Sequence, residues 1–208
     1  MNTKFQEEYL KKIISSDFGD HINEILFVVT SANQSNSRYN PLPFWARAIG
    51  LDRFAQKIKE ETGVSFKVIK IPHYPNANNF VDILLKETSL FLGGIILTPE
   101  TTVVLCSTTG LIEEYQSHGF FVFPAEYDVG SETLIAKTPI EIVKDLFDDE
   151  NDWTQKHEIL KLVLEPTLSF WADYSKIPKI IERIWHEPLL TETGGLTHDE
   201  IILRMLMV

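Results

Sequence analysis

Four short apolar runs, each separated from the next by a segment of helical period, constrain this chain most. "EILFVVT" (24–30), "SFKVIKIP" (65–72), "TTVVLCST" (101–108) and "FFVFPAEY" (120–127) are rich in β-branched and aromatic residues. All are too short to be helices of ordinary length, so they read as strands. Between the first two, Trp45, Ile49, Phe54 and Ile58 recur at helical spacing over 44–61, and Gly63 supplies the stop. "NNFVDILLKET" (78–88) reads as a helix with Asn78 or Asn79 as N-cap, and "GLIEEYQSHG" (110–119) as one closed by Gly119. Strand, loop and helix repeat with connections that reach only neighbouring elements. That order predicts βαβ units and a parallel α/β sheet covered on both faces, with buried strands.

The two ends of the chain read differently. "KFQEEYLKKIIS" (4–15) places Phe5, Tyr9, Leu10, Ile13 and Ile14 on one helical face. From about residue 138 the strand signals stop. "TPIEIVKDLFDD", "WTQKHEILKLVLEPTLSFWADY" and "KIPKIIERIWHE" are helical in pattern, with Pro139, Pro166 and Pro178 as breaks or first-turn residues. A Gly-Gly loop and a short apolar helix are expected at the end. The expected division is a sheet domain over 1–137 and a helical extension over 138–208 packed on it.

Composition narrows the partners. The net charge of −11 argues against a nucleic-acid groove or an anionic membrane surface. It leaves room for a nucleotide, since small phosphate sites are built from backbone N–H groups and one or two cations. Cys106 is the single cysteine, which excludes an intrachain disulfide and a Cys-based metal site. "MNTKFQEEYLKKIISSDFGDH" lacks the apolar stretch of a signal peptide, and no apolar run approaches the ~20 residues of a membrane span. A cytoplasmic protein is the expectation, with homo-oligomerisation left open.

In an open parallel sheet, ligands bind beyond the carboxyl ends of the strands. Three polar loops leave strands in that direction: "SANQSNSRYNP", "PHYPNANN" and "STTG". Each runs into a helix start, where free N–H groups attract anions. The candidate nucleotide-binding residues are Ser31, Ala32, Asn33, Arg38, Asn40, Arg47, His73, Ser107, Thr108 and Thr109, with Gly110 at the rim. His73 is also the one weak catalytic candidate, since a neutral imidazole can move a proton. Each has an ordinary structural alternative. Arg47 suits a surface ion pair, His73 a backbone hydrogen bond, and Ser107 to Thr109 a helix cap.

"LFVVTSANQSNSRYNPLPFWAR" resembles a segment of nicotinamide mononucleotide adenylyltransferases, chiefly the archaeal type. In that family a strand leads into a Gly-Ser-Ala-Gln loop, an Asn-Pro, and a helix carrying an Arg. Ser31, Ala32, Ser35, Asn40, Pro41 and Arg47 stand at matching positions. "IKIPHYPNANNFVDILLKE", "LTPETTVVLCSTTGLIEEYQSHGFFVFP" and "EIVKDLFDDENDW" resemble later segments in the same order, so the likeness spans roughly 24–153. It implies a Rossmann-like three-layer fold and adenylyl transfer from ATP to a mononucleotide, with magnesium accompanying the triphosphate.

The chain also departs from that pattern. The family's chemistry depends on a His-x-Gly-His motif whose imidazoles hold the triphosphate, and no such motif occurs here. Of the second signature, Ser/Thr-x-Thr-x-Ile-Arg, only "TPIEIVK" (138–144) remains, with Val143 in place of the Arg and Lys144 one place later. Ala46 stands where a Glu is expected, and His73 where an acidic residue is expected. The alternative expectation is therefore a catalytically degenerate member acting as a ligand sensor or interaction module. The acidic run "DLFDDENDW" reads as a solvated helix end, and His157, His186 and His198 as surface or packing residues. Trp153, Phe170, Trp171 and Trp185 read as core or interface.

Overall fold

The structure, a computed structural model, describes residues 1–74, 79–128, 133–149 and 152–187. Helix α1 (Lys4–Ile14) starts on a capping box in which Thr3 and Gln6 bond each other's backbone N–H groups. Strand β1 (Glu24–Val29), helix α2 (Phe44–Thr62) and strand β2 (Ser65–Lys70) follow, the two strands parallel with Glu24 opposite Ser65 and Val29 opposite Lys70. Gly63 ends α2 at φ 78°, the left-handed conformation that glycine adopts without a Cβ penalty.

Helix α3 (Phe80–Phe91) leads to a second parallel pair, β3 (Val103–Cys106) and β4 (Phe121–Pro124), joined by α4 (Thr109–Ser117). Each pair is thus a βαβ unit. Two short strands, β5 (Tyr127–Asp128) and β6 (Thr133–Leu134), pair antiparallel. The rest is helical: α5 (Pro139–Phe147), α6 (His157–Leu160), α7 (Glu165–Asp173) and α8 (Lys176–His186). The chain is therefore mixed α/β, with small parallel sheets and a helical C-terminal part. No helix among the described residues is long and apolar enough to cross a membrane. The final Gly-Gly loop and apolar helix, Asn78 and His198 lie outside the described residues.

Three expectations need correction. Helix α3 starts at Phe80 with Asn79 as its N-cap residue, as expected, but runs three residues past Thr88, because Ser89, Leu90 and Phe91 bring no breaker before Gly93 and Gly94. The strands are shorter and less buried than read: of β1 only Val29 is fully buried, and β3 alternates between exposed and half-buried positions. One face of β3–β4 puts Val104 and Val122 into the core, while the other leaves Leu105 and Phe121 exposed (43% and 53%) beneath little more than Phe18. The third concerns 153–174, expected to be largely helical. Here α6 is a single turn, since 162–164 straighten to pair with 2–4: Lys4 N–H donates to the Leu162 carbonyl (2.9 Å) and Leu164 N–H to the Asn2 carbonyl (3.2 Å). Pro166 then opens α7.

The largest core cluster joins α5, α7 and α8 to Leu42 and Ala46 of the segment entering α2. Phe147 and Phe170 are fully buried there, each contributing on the order of 1.5–3 kcal/mol relative to exposure. Trp171 is buried too, and Trp153 and Trp185 pack against the cluster. The aromatic residues of the C-terminal helices are core. A second cluster, with Ile71, Val81, Ile112 and Val122 at its centre, lies against Val28, Val104 and Cys106. It sets the ends of β1, β2 and β3 over one packed layer.

Candidate functional site

The loop after β1 is organised by one guanidinium. Arg47, on the second turn of α2, donates from Nη1 to the Thr30 carbonyl (2.9 Å) and Asn40 Oδ1 (3.1 Å). Its Nη2 donates to the carbonyls of Ser31 (2.7 Å) and Gln34 (3.1 Å). Burial pulls the group below its ordinary pKa, and its Nε is buried with no partner among the described residues. The two carbonyls that flank Ser31 are both held, and Ser31 itself sits at φ 51°, which disfavours a residue with a Cβ. The polar side chains do the remaining work locally: Asn40 N–H donates to Ser37 Oγ (2.9 Å), and Ser37 is buried.

This loop is pinned to the end of β2. Ala32 N–H donates to the Ile71 carbonyl (2.9 Å), which extends the ladder past Val29. Asn33 Oδ1 accepts the His73 backbone N–H (2.6 Å), and Ser31 Oγ lies 3.4 Å from His73 Nδ1. Ser31, Ala32, Asn33 and His73 therefore form one constellation at the carboxyl ends of β1 and β2. The His73 backbone is bonded while its imidazole stays exposed.

At the end of β3, Thr108 is the N-cap residue of α4, yet its side chain caps nothing. The Leu111 and Ile112 N–H groups return to the Thr108 carbonyl, and among the described residues Thr109 and Gly110 N–H have no acceptor. Thr108, Thr109 and Gly110 are exposed, and a Cβ built on Gly110 meets nothing within 4 Å. Helix α3 differs, because the Glu114 carboxylate already accepts the Val81 N–H at its start (2.8 Å).

Arg38 is not brought to this edge. Its Nε donates to the Trp185 carbonyl (3.2 Å), so the side chain reaches toward the end of α8. Arg47 and Asn40 shape the loop without presenting their bonded atoms to a ligand. Cys106 closes β3 with its sulfur 3.9 Å from the Thr108 carbonyl. Burial pushes its thiol above the ordinary value, with the nearby Glu126 charge adding to the effect.

Glu126 is the residue that sequence reasoning missed. It follows β4, is 1% exposed, adopts φ 56°, and accepts a hydrogen bond from Gln6 Nε2 (2.7 Å). A carboxylate placed directly after an apolar strand was the available signal. It ties the end of β4 to the start of α1. No group of three His, Cys, Asp or Glu among the described residues is placed to hold a metal ion. No protein-family model matches the chain, and no curated protein matches it.

Proposed function

We propose that the chain is a nucleotide-binding domain of nucleotidylyltransferase type, with its two parallel pairs belonging to one Rossmann-like three-layer arrangement. The observation that carries the reading is the loop 31–40, locked by Arg47 and fastened through Asn33 to His73 at the carboxyl ends of two parallel strands. The open N–H groups at the start of α4 support it from the next strand. Ser31 Oγ, the Thr109 and Gly110 N–H groups and the His73 ring offer donors and acceptors suited to a base, ribose or single phosphate.

If the site reacts its nucleotide, a phosphate oxygen of the mononucleotide attacks the α-phosphorus of ATP. The new P–O bond joins the two nucleotides, the α–β bridge breaks, and pyrophosphate leaves; magnesium brought in with ATP would offset part of its charge. The chain's own residues would orient both partners for in-line attack. Of the cations expected here, Arg47 is held by loop carbonyls, Arg38 turns toward α8, and no His-x-Gly-His is present, which leaves Lys70 at the end of β2. Activity is therefore expected to be feeble, and the degenerate, ligand-sensing form of the same fold is the second reading.

The test is thermal-shift titration of the whole chain with ATP, CTP, nicotinamide mononucleotide and NAD, with and without magnesium. A ligand at 100 times its dissociation constant adds about 2.7 kcal/mol, so stabilisation by at least one of them is expected. Absence of stabilisation by all four refutes nucleotide binding. Pyrophosphate release from ATP plus the mononucleotide separates the enzyme from the sensor.

A further inference from the structure

Among the described residues, only one of the two parallel pairs is covered on both faces. In β1–β2, Val28 packs against the cluster built from α3 and α4, while Ile25 and Phe27 pack against Leu10 of α1 and Phe54 and Ile58 of α2. In β3–β4, Val104 and Val122 join Ile112 and Tyr115 of α4. The alternate residues share the other face in register, Val103 opposite Phe121 and Leu105 opposite Phe123. Val103, Leu105 and Phe121 are exposed. Beyond each other, Phe121 and Phe123 have one ring partner among the described residues. It is Phe18, which stacks on Phe121 (5.6 Å) and meets Phe123 edge-on (5.4 Å), and is itself exposed. An apolar sheet face of this kind ordinarily lies against a second layer.

The chain holds a segment of matching character. At Glu187 the backbone is extended (φ −71°, ψ 106°), the conformation a following proline favours, so the chain leaves α8 there. Residues 188–208 lie outside the described residues, and the last eight, "IILRMLMV" (201–208), are apolar at every position but Arg204. Such a run gains from cover as much as the sheet face does. The tether 188–200 can extend to ~45 Å, enough to cross a domain whose radius of gyration is ~17 Å. As a helix, 201–208 is ~12 Å long, which matches four-residue strands at ~3.3 Å per residue. A tethered segment meets its face at an effective concentration on the order of millimolar, an advantage a second copy lacks.

We propose that residues 201–208 of the same chain dock on the open face of β3–β4 and supply its second layer, with a methionine among the rings of Phe18, Phe121 and Phe123. Methionine suits that place, since its flexible thioether packs favourably against aromatic edges. The proposal does not rest on the nucleotide reading.

The experiment uses the whole chain labelled at its methionine methyls, of which there are three, on Met1, Met205 and Met207. M205L and M207L assign the two resonances of the segment, and Met1, packed against the C-terminal helical cluster, is the control. At least one segment methyl is expected to show ring-current displacement and cross-relaxation with phenylalanine ring protons. Both signals should be lost in F121D while the Met1 resonance stays in place. Trypsin cleavage after Arg204 should be about tenfold faster or more in F121D, as the loss of one buried phenylalanine contact implies. I202D alters the segment alone and should act alike, which keeps the test if F121D does not fold. L90D charges the exposed end of α3, on the α4 side of the sheet, and should change nothing. Methyls without displacement or ring contact overturn the proposal, as do contacts unchanged in F121D or I202D. Loss of the contacts in L90D overturns it by assigning the segment to the end of α3. Contacts that vanish on dilution, or that pass between a methyl-labelled chain and a ring-labelled one, overturn it by assigning the face to a second copy.

Discussion

Replacing Arg47 distinguishes a residue that builds the site from one that touches the ligand. Four acceptors, the Thr30, Ser31 and Gln34 carbonyls and Asn40 Oδ1, lie within 2.7–3.1 Å of its terminal nitrogens. Hydrogen bonds to a charged group contribute about 1.5–3 kcal/mol each, but they are not additive here. The side chain is half-buried and Thr30 is exposed, so water replaces part of what is lost. Arg47→Ala is therefore expected to cost about 2–4 kcal/mol, a fall in Tm of roughly 5–15 °C for a chain this long. Arg47→Lys keeps the charge and loses the fork, so about half of that cost remains. Both are measured by urea and thermal unfolding without nucleotide. Trypsin cleavage after Arg38 should accelerate in parallel, since the loop loses its clamp. If Arg47→Lys unfolds within about 0.5 kcal/mol of the parent while nucleotide affinity collapses, the clamp argument is wrong and Arg47 is a ligand contact.

Glu7 of α1 pairs with Lys11 on its own helix and with Lys57 of α2. Burial alone would raise its carboxyl, and the hydrogen bonds from Lys11 and Lys57 overcome this and hold it below the ordinary value. The stabilisation is present above the ordinary carboxylate pKa of about 4.3 and is lost as pH falls through the lower folded value. With both lysines about one-third exposed (34% and 33%), Glu7→Gln should cost about 1–2 kcal/mol at neutral pH, less than a fully buried pair. The deficit should vanish in acid, and a deficit constant with pH refutes the linkage. Cys106, raised by burial, should react with a disulfide reagent far more slowly than a free thiol at pH 7 and catch up in denaturant; equally fast labelling of the native chain overturns that placement. At Ser31, Ser31→Gly should be near neutral in unfolding while Ser31→Val costs about 1–3 kcal/mol, because a β-branched side chain resists φ 51°. Equal stabilities would remove the strain argument.

What could be read in the sequence was periodic and local. Helix α2 ends where Gly63 says it must, α5 starts on Thr138 and Pro139, and both βαβ units lie where apolar runs alternate with helical ones. That Ser31, Asn33 and His73 lie together at a strand edge was legible because small polar residues after an apolar run mark a strand end. The misses are all long-range. Nothing near residue 162 announces that it will straighten to pair with residue 4, 158 positions away along the chain. The exposed face of β3–β4 looks like any other apolar strand until its cover is sought. Arg38 and Arg47 are close in sequence and look alike as loop cations. Their partners, Trp185 on one side and three carbonyls on the other, are set only by tertiary packing.

That difference bears on chemistry. A triphosphate carries about four negative charges near neutral pH, and the protein's part in phosphoryl transfer is almost wholly positioning and charge stabilisation. In a chain with 19 Lys and Arg against 30 Asp and Glu, the number of cations that face a given edge decides what it can do. At the ends of β1 and β2, Arg47 faces inward to carbonyls and Arg38 leaves for α8, so beside the exposed Lys70 that closes β2 stand a hydroxyl, an amide and an imidazole. On the proposed nucleotide reading, such a set suits a base or sugar better than a triphosphate, which one lysine has too little charge to gather and hold in line. Under that reading the edge is better equipped to hold a nucleotide than to react it, because in-line transfer needs several converging cations and the two arginines nearest in sequence are committed elsewhere.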